Sequence, residues 1–243
     1  MTTDPGSGQA RFAGAHLTGS AYPDDDGSAD PTVAAALSEH SVGGPARDVQ
    51  QALLGTRLLV PVVAMLEESE VSVTTGMQVD KQSAMATVTV VGANGKRALP
   101  VFTSMVTMIA WRSDARPSAV SAEYAAAAAM HDADALLIDP AGPHRLLLAG
   151  AGLRALAAGR PWLPLREDAE LAHQLNQAVA DLGVRVSVLD SDSSDNDADL
   201  VVQAGGTDAE LTDVITHRLI ESTALRERVD RGVRIRFERH AGR

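Results

Sequence analysis

The segment between residues 85 and 140 constrains the fold of this chain more than any other part. Residues 86–90 alternate in polarity and precede Asn94-Gly95, the dipeptide most typical of a tight hairpin turn. Residues 98–104, Ala-Leu-Pro-Val-Phe-Thr-Ser, are predicted to form a strand that ends where a serine can cap a helix. Another apolar run follows that helix at residues 135–138. A hairpin, a helix and a further strand in this order predict a sheet with helices packed on it.

The same local signals extend over residues 31–160. We predict helices at residues 32–40, 46–54, 105–111, 121–131 and 153–158, and strands at residues 57–66, 85–91, 96–101, 135–138 and 145–149. Residues 67–82 are predicted to form a loop, and residues 113–117 a turn. Pro61 predicts that strand 57–66 is an edge strand or is interrupted there, because proline cannot donate to a sheet ladder.

Composition divides the chain into segments. Residues 1–30 are rich in Gly, Ser, Asp, Thr and Pro without a period, and we predict a disordered tail. A first domain at 31–160 and a linker at 161–165 precede a smaller α+β lobe at 166–243. That lobe is predicted to have the order α-β-β-α-β, with helices at 167–182 and 208–228 and strands at 184–189, 200–204 and 233–237. The predicted fold class is therefore α/β to α+β, a mixed sheet with flanking helices followed by a smaller lobe.

Several function classes are disfavoured by composition. The chain has no Cys, which excludes disulfides, thiolate chemistry and Cys-ligated metal clusters. None of the seven His lies at metal-ligand spacing, so we predict neither a metal nor a cofactor. A net charge of −11 with only two Lys argues against nucleic-acid binding. The longest apolar run, at residues 58–66, is too short to cross a bilayer, so we expect a cytoplasmic protein without membrane contact.

Two further motifs each favour a structural interpretation. Gly150-Ala151-Gly152 opens a predicted helix and partly matches a dinucleotide-binding turn, but the expected second strand with its acidic residue is missing about 20 residues on. We therefore favour a tight strand-to-helix turn. Residues 190–199 contain five Asp, but Asp195 and Val201 stand where a calcium loop needs Gly and Glu, so we predict a solvated loop. The Arg residues between 226 and 239 are predicted to be a solvated helix end and strand face.

The candidate site lies where the 96–101 strand meets the next helix. The helix N-terminus beside Thr103 and Ser104 can bind a small anion, although plain capping explains the same residues. The turn after strand 135–138 is predicted to face this junction. The candidate ligand or partner surface, with no catalytic residue assigned, comprises Phe102, Thr103, Ser104, Trp111, Asp139, Pro140 and Gly142.

These residues also carry a family resemblance. Residues 98–104 resemble a motif of the SseB family, named for enhanced serine sensitivity, in which a Leu-Pro-x-Phe-Thr-Ser strand precedes a helix that ends near a Trp. The family's next strand ends in Asn-Pro or Asp-Pro followed by a Gly, and here strand 135–138 is followed by Asp139-Pro140 and Gly142. Residues 58–61 and 80–86 look like the actinobacterial branch. The resemblance covers residues 32–165 and implies the SseB N-terminal fold and, from the name, a link to serine or sulfur metabolism. It transfers no catalytic residue.

Three functions remain open at this point. The first is a non-enzymatic binding or regulatory protein that offers residues 103–104 and the turn 139–142 to a protein partner or a small anion. The second is a small-molecule enzyme with a hydroxyl or carboxylate site near Ser104. The third is a structural assembly module that forms a homo-oligomer through a sheet edge or through the C-terminal lobe.

Overall fold

The computed structural model describes residues 22–65, 84–93, 95–193, 195–206 and 208–239. The chain divides into two compact units, with the boundary between Ala149 and Gly150. The predicted loop at 67–82 lies outside the described residues. Helices and mixed sheets in the described residues confirm the α+β fold class. None of the helices in these ranges combines the length and the apolar character that a bilayer crossing requires.

The N-terminal unit contains two small sheets. Its elements are α1 (Pro31–Ser41), α2 (Ala46–Leu53), β1 (Arg57–Met65), β2 (Ala84–Thr87), β3 (Val90–Val91), β4 (Arg97–Val101), α3 (Met105–Trp111), β5 (Arg116–Ser121), α4 (Ala122–Asp132), β6 (Ala135–Ile138) and β7 (Leu146–Ala149). One sheet has the antiparallel order β2-β1-β5, and the other has the order β3-β4-β6-β7 with β4 and β6 parallel. Leu59 and Phe102 exchange two backbone hydrogen bonds of 2.8 and 2.9 Å, so the residue after β4 joins the two sheets.

The strand predicted at residues 85–91 is in fact two strands in different sheets. β2 pairs with β1, whereas β3 pairs with β4 across the predicted hairpin, where the Gly92 N–H donates to the Lys96 carbonyl at 2.9 Å. The hairpin itself is confirmed. Alternating polarity predicts a strand but carries no information about its partner, so the change of sheet at residues 88–89 could not be seen in the sequence.

Pro61 lies in the middle of a central strand, so the prediction of an edge or a break in β1 is wrong. The backbone N–H and carbonyl of Leu59 point toward Phe102. The backbone groups of Pro61, two residues later, point to the same side of β1, and the pairing with β2 begins only at Val62. On the other side, Pro61 and Pro117 of β5 form a non-hydrogen-bonded pair, so neither proline has to donate a hydrogen bond between β1 and β5. The predicted turn at 113–117 accordingly gives way to β5 from Arg116 onward.

The core of this unit is built largely from small residues. The buried face of α4 consists of Ala122, Ala125, Ala126 and Ala129, and this helix lies against β1, β4, β5 and β6. Phe102 is fully buried with Leu59, Val63, Met108 and Ala115, and its ring lies 5.4 Å from that of Trp111. The alanine-rich helix allows close packing on the sheet, while Phe102 fixes the place where β4 ends.

From residue 166 on, the elements of the C-terminal unit follow the predicted α-β-β-α-β order, except that the helix predicted at 208–228 is divided in two. Its elements are α5 (Gly150–Ala157), α6 (Ala169–Ala178), β8 (Arg185–Leu189), β9 (Ala198–Ala204), α7 (Ala209–Glu221), α8 (Thr223–Arg226) and β10 (Val233–Arg239). The sheet order is β10-β9-β8, with β9 parallel to β10 and antiparallel to β8. One core cluster joins α6, α7 and α8 to this sheet, and its buried members are Leu171, Leu175, Val179, Val186, Leu200, Val202, Ile215, Leu219 and Leu225.

Candidate functional site at the β4–α3 junction

The two halves of the predicted site meet in the structure. β4 and β6 are parallel and in register, with Val101 opposite Ile138, so the residues after both strands lie at the same edge of the sheet. The Thr103 N–H donates to Asp139 Oδ1 at 2.9 Å, and the Thr103 hydroxyl donates to Asp139 Oδ2 at 2.6 Å. Thr103 is 5% and Asp139 is 4% exposed, so this is a buried polar contact.

Thr107, which the sequence interpretation did not include, completes the network. Its hydroxyl is 2.6 Å from Asp139 Oδ1 and 3.0 Å from the Ser104 carbonyl, and the shorter bond to the carboxylate takes its one proton. The Ser104 hydroxyl then donates to Thr107 Oγ1 at 3.2 Å, and its oxygen accepts the Thr107 N–H at 3.2 Å. This arrangement satisfies every hydroxyl and leaves the carboxylate with three donors.

The backbone at Asp139 supports the same arrangement. Asp139 is the only non-glycine residue in the described ranges with a positive φ, 46°, a conformation that Asp and Asn tolerate better than most residues. The Asp139 N–H donates to the Val101 carbonyl and its own carbonyl accepts the Gly142 N–H, both at 2.9 Å. A Cβ at Gly142 would lie 3.0 Å from Asp139 Cβ and 3.2 Å from Thr107 Cγ2. The turn 139–142 therefore lies directly against α3.

The first turn of α3 is occupied by the protein itself. The Met105 N–H donates to the Gly27 carbonyl at 2.8 Å, and the Thr107 N–H is capped by Ser104. Together with the Asp139 carboxylate, these contacts favour plain capping over an anion at this junction. The N-cap role predicted for Ser104 is confirmed.

The outer side of α3 is apolar and open. Val106 is 77% and Ile109 is 50% exposed, and residues three apart on a helix lie on one face. Of the predicted surface residues, Trp111, Pro140 and Gly142 are partly exposed, whereas Phe102, Thr103, Ser104 and Asp139 are buried. The buried four position α3 and the turn 139–142, and a binding role for the surface stays a prediction.

A second set of residues that sequence reasoning missed lies at residues 22–30. This segment belongs to the predicted disordered tail, but it makes defined contacts with the junction. The Arg57 guanidinium donates to both Asp25 oxygens at 2.7 Å and to the Ser28 carbonyl at 2.6 Å, and it also donates to the Thr103 carbonyl. The hydrogen bonds from Arg57 to the Asp25 carboxylate lower the pKa of Asp25. The composition that predicts disorder carries no sign of a distant arginine partner.

In the C-terminal unit, a carboxylate occupies the glycine turn at Gly150-Ala151-Gly152. The Ala151 N–H donates to Asp230 Oδ1 and Oδ2 at 2.8 and 3.0 Å, and Arg154 donates to Oδ1 at 2.7 Å. Gly150 has φ +57°, and a Cβ there would lie 2.5 Å from Asp230 Oδ2. The glycine therefore gives Asp230 room at the start of α5, as the predicted tight turn requires.

Replacing Gly150 with alanine is expected to destabilise the C-terminal unit by about 2 kcal/mol, since left-handed strain adds to the overlap with Asp230. Gly183→Ala is the matched control. Gly183 has φ +66°, but nothing lies within 4 Å of its added Cβ, so only strain of about 1 kcal/mol remains. Urea unfolding measures both, and equal losses would contradict the overlap with Asp230.

Acidic side chains of residues 190–199 pair with arginines, namely Arg166 and three arginines near the C-terminus. Asp190 pairs with Arg166 at 2.7 Å, and Asp197 pairs with Arg231 at 2.9 Å. Asp199 binds Arg234 at 2.6 Å and Arg236 at 2.9 Å, and the hydrogen bonds from Arg234 lower its pKa. Within the described ranges, no group of three or more His, Asp or Glu side chains is arranged to hold a metal ion.

A comparison with known protein families matches residues 33–155 to the SseB protein N-terminal domain. The match covers just over half of the chain, including the β4–α3 junction and the turn 139–142. No curated protein and no solved structure is similar enough to match. The chain therefore belongs to the SseB family, with the polar junction between Thr103 and Asp139 inside the family's N-terminal domain.

Proposed function

We propose that this protein is a non-enzymatic binding module that offers the outer face of α3, beside the turn 139–142, to a protein partner. The observation that carries the proposal is the exposure of Val106 and Ile109, 77% and 50%, on one face of a helix whose other side is held by buried contacts. Burying these two apolar side chains against a partner would remove their apolar surface from water, which favours association.

The junction beneath this face supports a protein partner over the other ligands considered. The hydroxyl of Ser104 is 7% exposed and caps α3, which is a structural use of the group. The amides of Met105 and Thr107 already have acceptors within the chain, so the helix start offers a small anion few free donors. The buried network instead keeps α3 in one orientation, and a rigid surface loses little entropy on binding.

The biological setting of the proposal comes from the sequence. A cytoplasmic location, an actinobacterial origin and a link to serine or sulfur metabolism remain predictions that accompany it.

A variant that carries Val106→Asp and Ile109→Asp is expected to weaken partner binding at least about tenfold, because it places two charges in an apolar contact. The partner is first identified with a photo-crosslinking amino acid at position 106, and its affinity is then measured by titration. Leu147→Asp is the matched control, since Leu147 is 59% exposed on β7.

The experiment distinguishes three results. Loss of binding in the α3 variant but not in Leu147→Asp supports the proposal. Equal affinity of the α3 variant and the wild-type protein contradicts it. Light scattering shows whether the crosslinked partner is a second copy of this chain, in which case the α3 variant becomes monomeric.

A further inference from the structure

We propose that residues 22–30, which we name the strap, are an autoinhibitory contact that covers one end of the apolar face of α3. The inference rests on the proposed function, because it concerns regulation of the same face. When the strap leaves, Met105 joins Val106 and Ile109 and the binding face becomes larger.

The strap covers the first residue of α3. Gly27 lies so close to Met105 that an added Cβ would be 2.5 Å from Met105 Cγ and 3.3 Å from Met105 Cβ. The Gly27 carbonyl also accepts the Met105 N–H at 2.8 Å. Met105 precedes Ile109 by four residues, so the two side chains lie on the same side of the helix. The covered residue is therefore a continuation of the exposed face.

The strap is held by polar contacts. None of residues 22–30 is fully buried, and Tyr22, Gly27 and Ala29 are half-buried. Arg57 connects the strap to the domain, since its guanidinium donates to Asp25 and Ser28 of the strap and to the Thr103 carbonyl at the junction. The side chains of Arg57 and Asp25 are 11% and 17% exposed, which shields the ion pair from solvent. A segment without a fully buried residue can open while the core stays folded.

The C-terminal end of the strap, at Asp30, is anchored to α1. Asp30 caps α1, accepting the N–H groups of Thr32 and Val33 at 2.8 and 3.2 Å. Opening therefore leaves α1 in place. The Asp25 carboxylate also accepts the Gly27 N–H at 3.0 Å. Loss of its charge therefore weakens both its hydrogen bonds with Arg57 and the turn that places Gly27 on Met105.

The test compares the full-length wild-type protein with Asp25→Asn and with Asp24→Asn, which removes the same charge one residue earlier. Two probes report on the strap: hydrogen exchange of the Met105 amide, and the rate at which hydrogen peroxide oxidises the Met105 thioether. In Asp25→Asn both rates are expected to rise about tenfold, because charge-assisted bonds to Arg57 are lost. In Asp24→Asn both should stay within about twofold of wild type.

Two internal references separate opening of the strap from loss of the fold. Met108 is fully buried in the same helix, and Leu136 lies in β6 within the sheet. Both should be as protected in Asp25→Asn as in the wild type. Gly27→Ala is a second way to open the strap, because it combines φ +77° with overlap at Met105 and leaves Asp25 in place.

The outcomes are decisive in both directions. Faster reaction of Met105 in Asp25→Asn and Gly27→Ala, together with at least about threefold tighter binding of the crosslinked partner, is expected if the strap is inhibitory. Unchanged Met105 rates in both variants overturn the strap, and faster rates with unchanged or weaker binding overturn inhibition. The Met105 probes need no partner, so failure of the proposed function is detected separately, by Val106→Asp with Ile109→Asp.

Discussion

Replacing Asp139 with alanine is expected to lower the free energy of unfolding of the N-terminal unit by about 3 kcal/mol. The substitution removes the acceptor of the Thr103 N–H and of the hydroxyls of Thr103 and Thr107, all within a site where Asp139 is 4% exposed. It also places alanine at a positive φ of 46°. Urea unfolding in a Trp162→Phe background measures the loss, since Trp111 is then the only indole and packs on Phe102.

The isosteric Asp139→Asn is the matched control for this prediction. The asparagine oxygen can still accept from the Thr103 N–H and the Thr107 hydroxyl, and its amide can donate to the Thr103 oxygen once that hydroxyl turns. Asparagine also tolerates a positive φ, so the expected loss is about 1 kcal/mol. An equally large loss for both variants would show that charge, and not the pattern of acceptors, stabilises the junction.

Asp168→Ala is expected to destabilise the C-terminal unit by about 3 kcal/mol. Asp168 caps α6 by accepting the Leu171 N–H at 2.8 Å, and its second oxygen accepts from Arg228 Nε at 2.7 Å. The two side chains are each 9% exposed, so removal of the carboxylate leaves Arg228 buried beside an empty position. Unfolding followed through Trp162, in a Trp111→Phe background, reports on this unit.

The pH dependence of stability gives a second test of Asp168. Burial acts to raise the pKa of Asp168, but hydrogen bonds from the Leu171 N–H and from Arg228 outweigh it, and the pKa lies below its ordinary value of 3.8. A lowered pKa stabilises the fold at pH values above 3.8, and the stabilisation is lost as the pH falls through the folded-state value. Asp168→Asn keeps a capping oxygen, so it should remove this part of the acid sensitivity while costing less than Asp168→Ala. An unchanged acid profile in Asp168→Asn would contradict a lowered pKa of Asp168 in the folded protein.

The sequence predicts local structure in this protein well because local structure depends on neighbours along the chain. Ser104 as a cap, the alanine-rich α4 and the hairpin at Gly92–Gly95 all have signals within a few residues. Thr103 and the turn at Asp139 meet as predicted, since the parallel strands β4 and β6 bring them to one edge of the sheet. Thr107 was missed because its hydroxyl has a partner 32 residues away, which no local pattern reveals.

Strand partners and polar contacts between distant segments were the other omissions. The change of sheet between β2 and β3 depends on the backbone groups of β1 and β4 that are available for pairing, and residues 88–89 themselves carry no sign of it. The polar composition of the strap predicts a disordered tail, yet Arg57 holds Asp25 in a specific position. In both cases the deciding interaction lies far along the chain, beyond the reach of periodicity and turn signals.

The two prolines that oppose each other across β1 and β5 have a consequence for the behaviour of the protein in a crowded solution. Because Pro61 and Pro117 occupy a position without ladder bonds between these strands, the nitrogen of Pro117 faces the outer side of β5. Among the described residues β5 pairs with β1 alone, so this side is an open strand edge. A proline there withholds a donor that an intruding strand would need. Pro117 thus protects the sheet against edge-to-edge aggregation, while Pro61 lets β1 remain central.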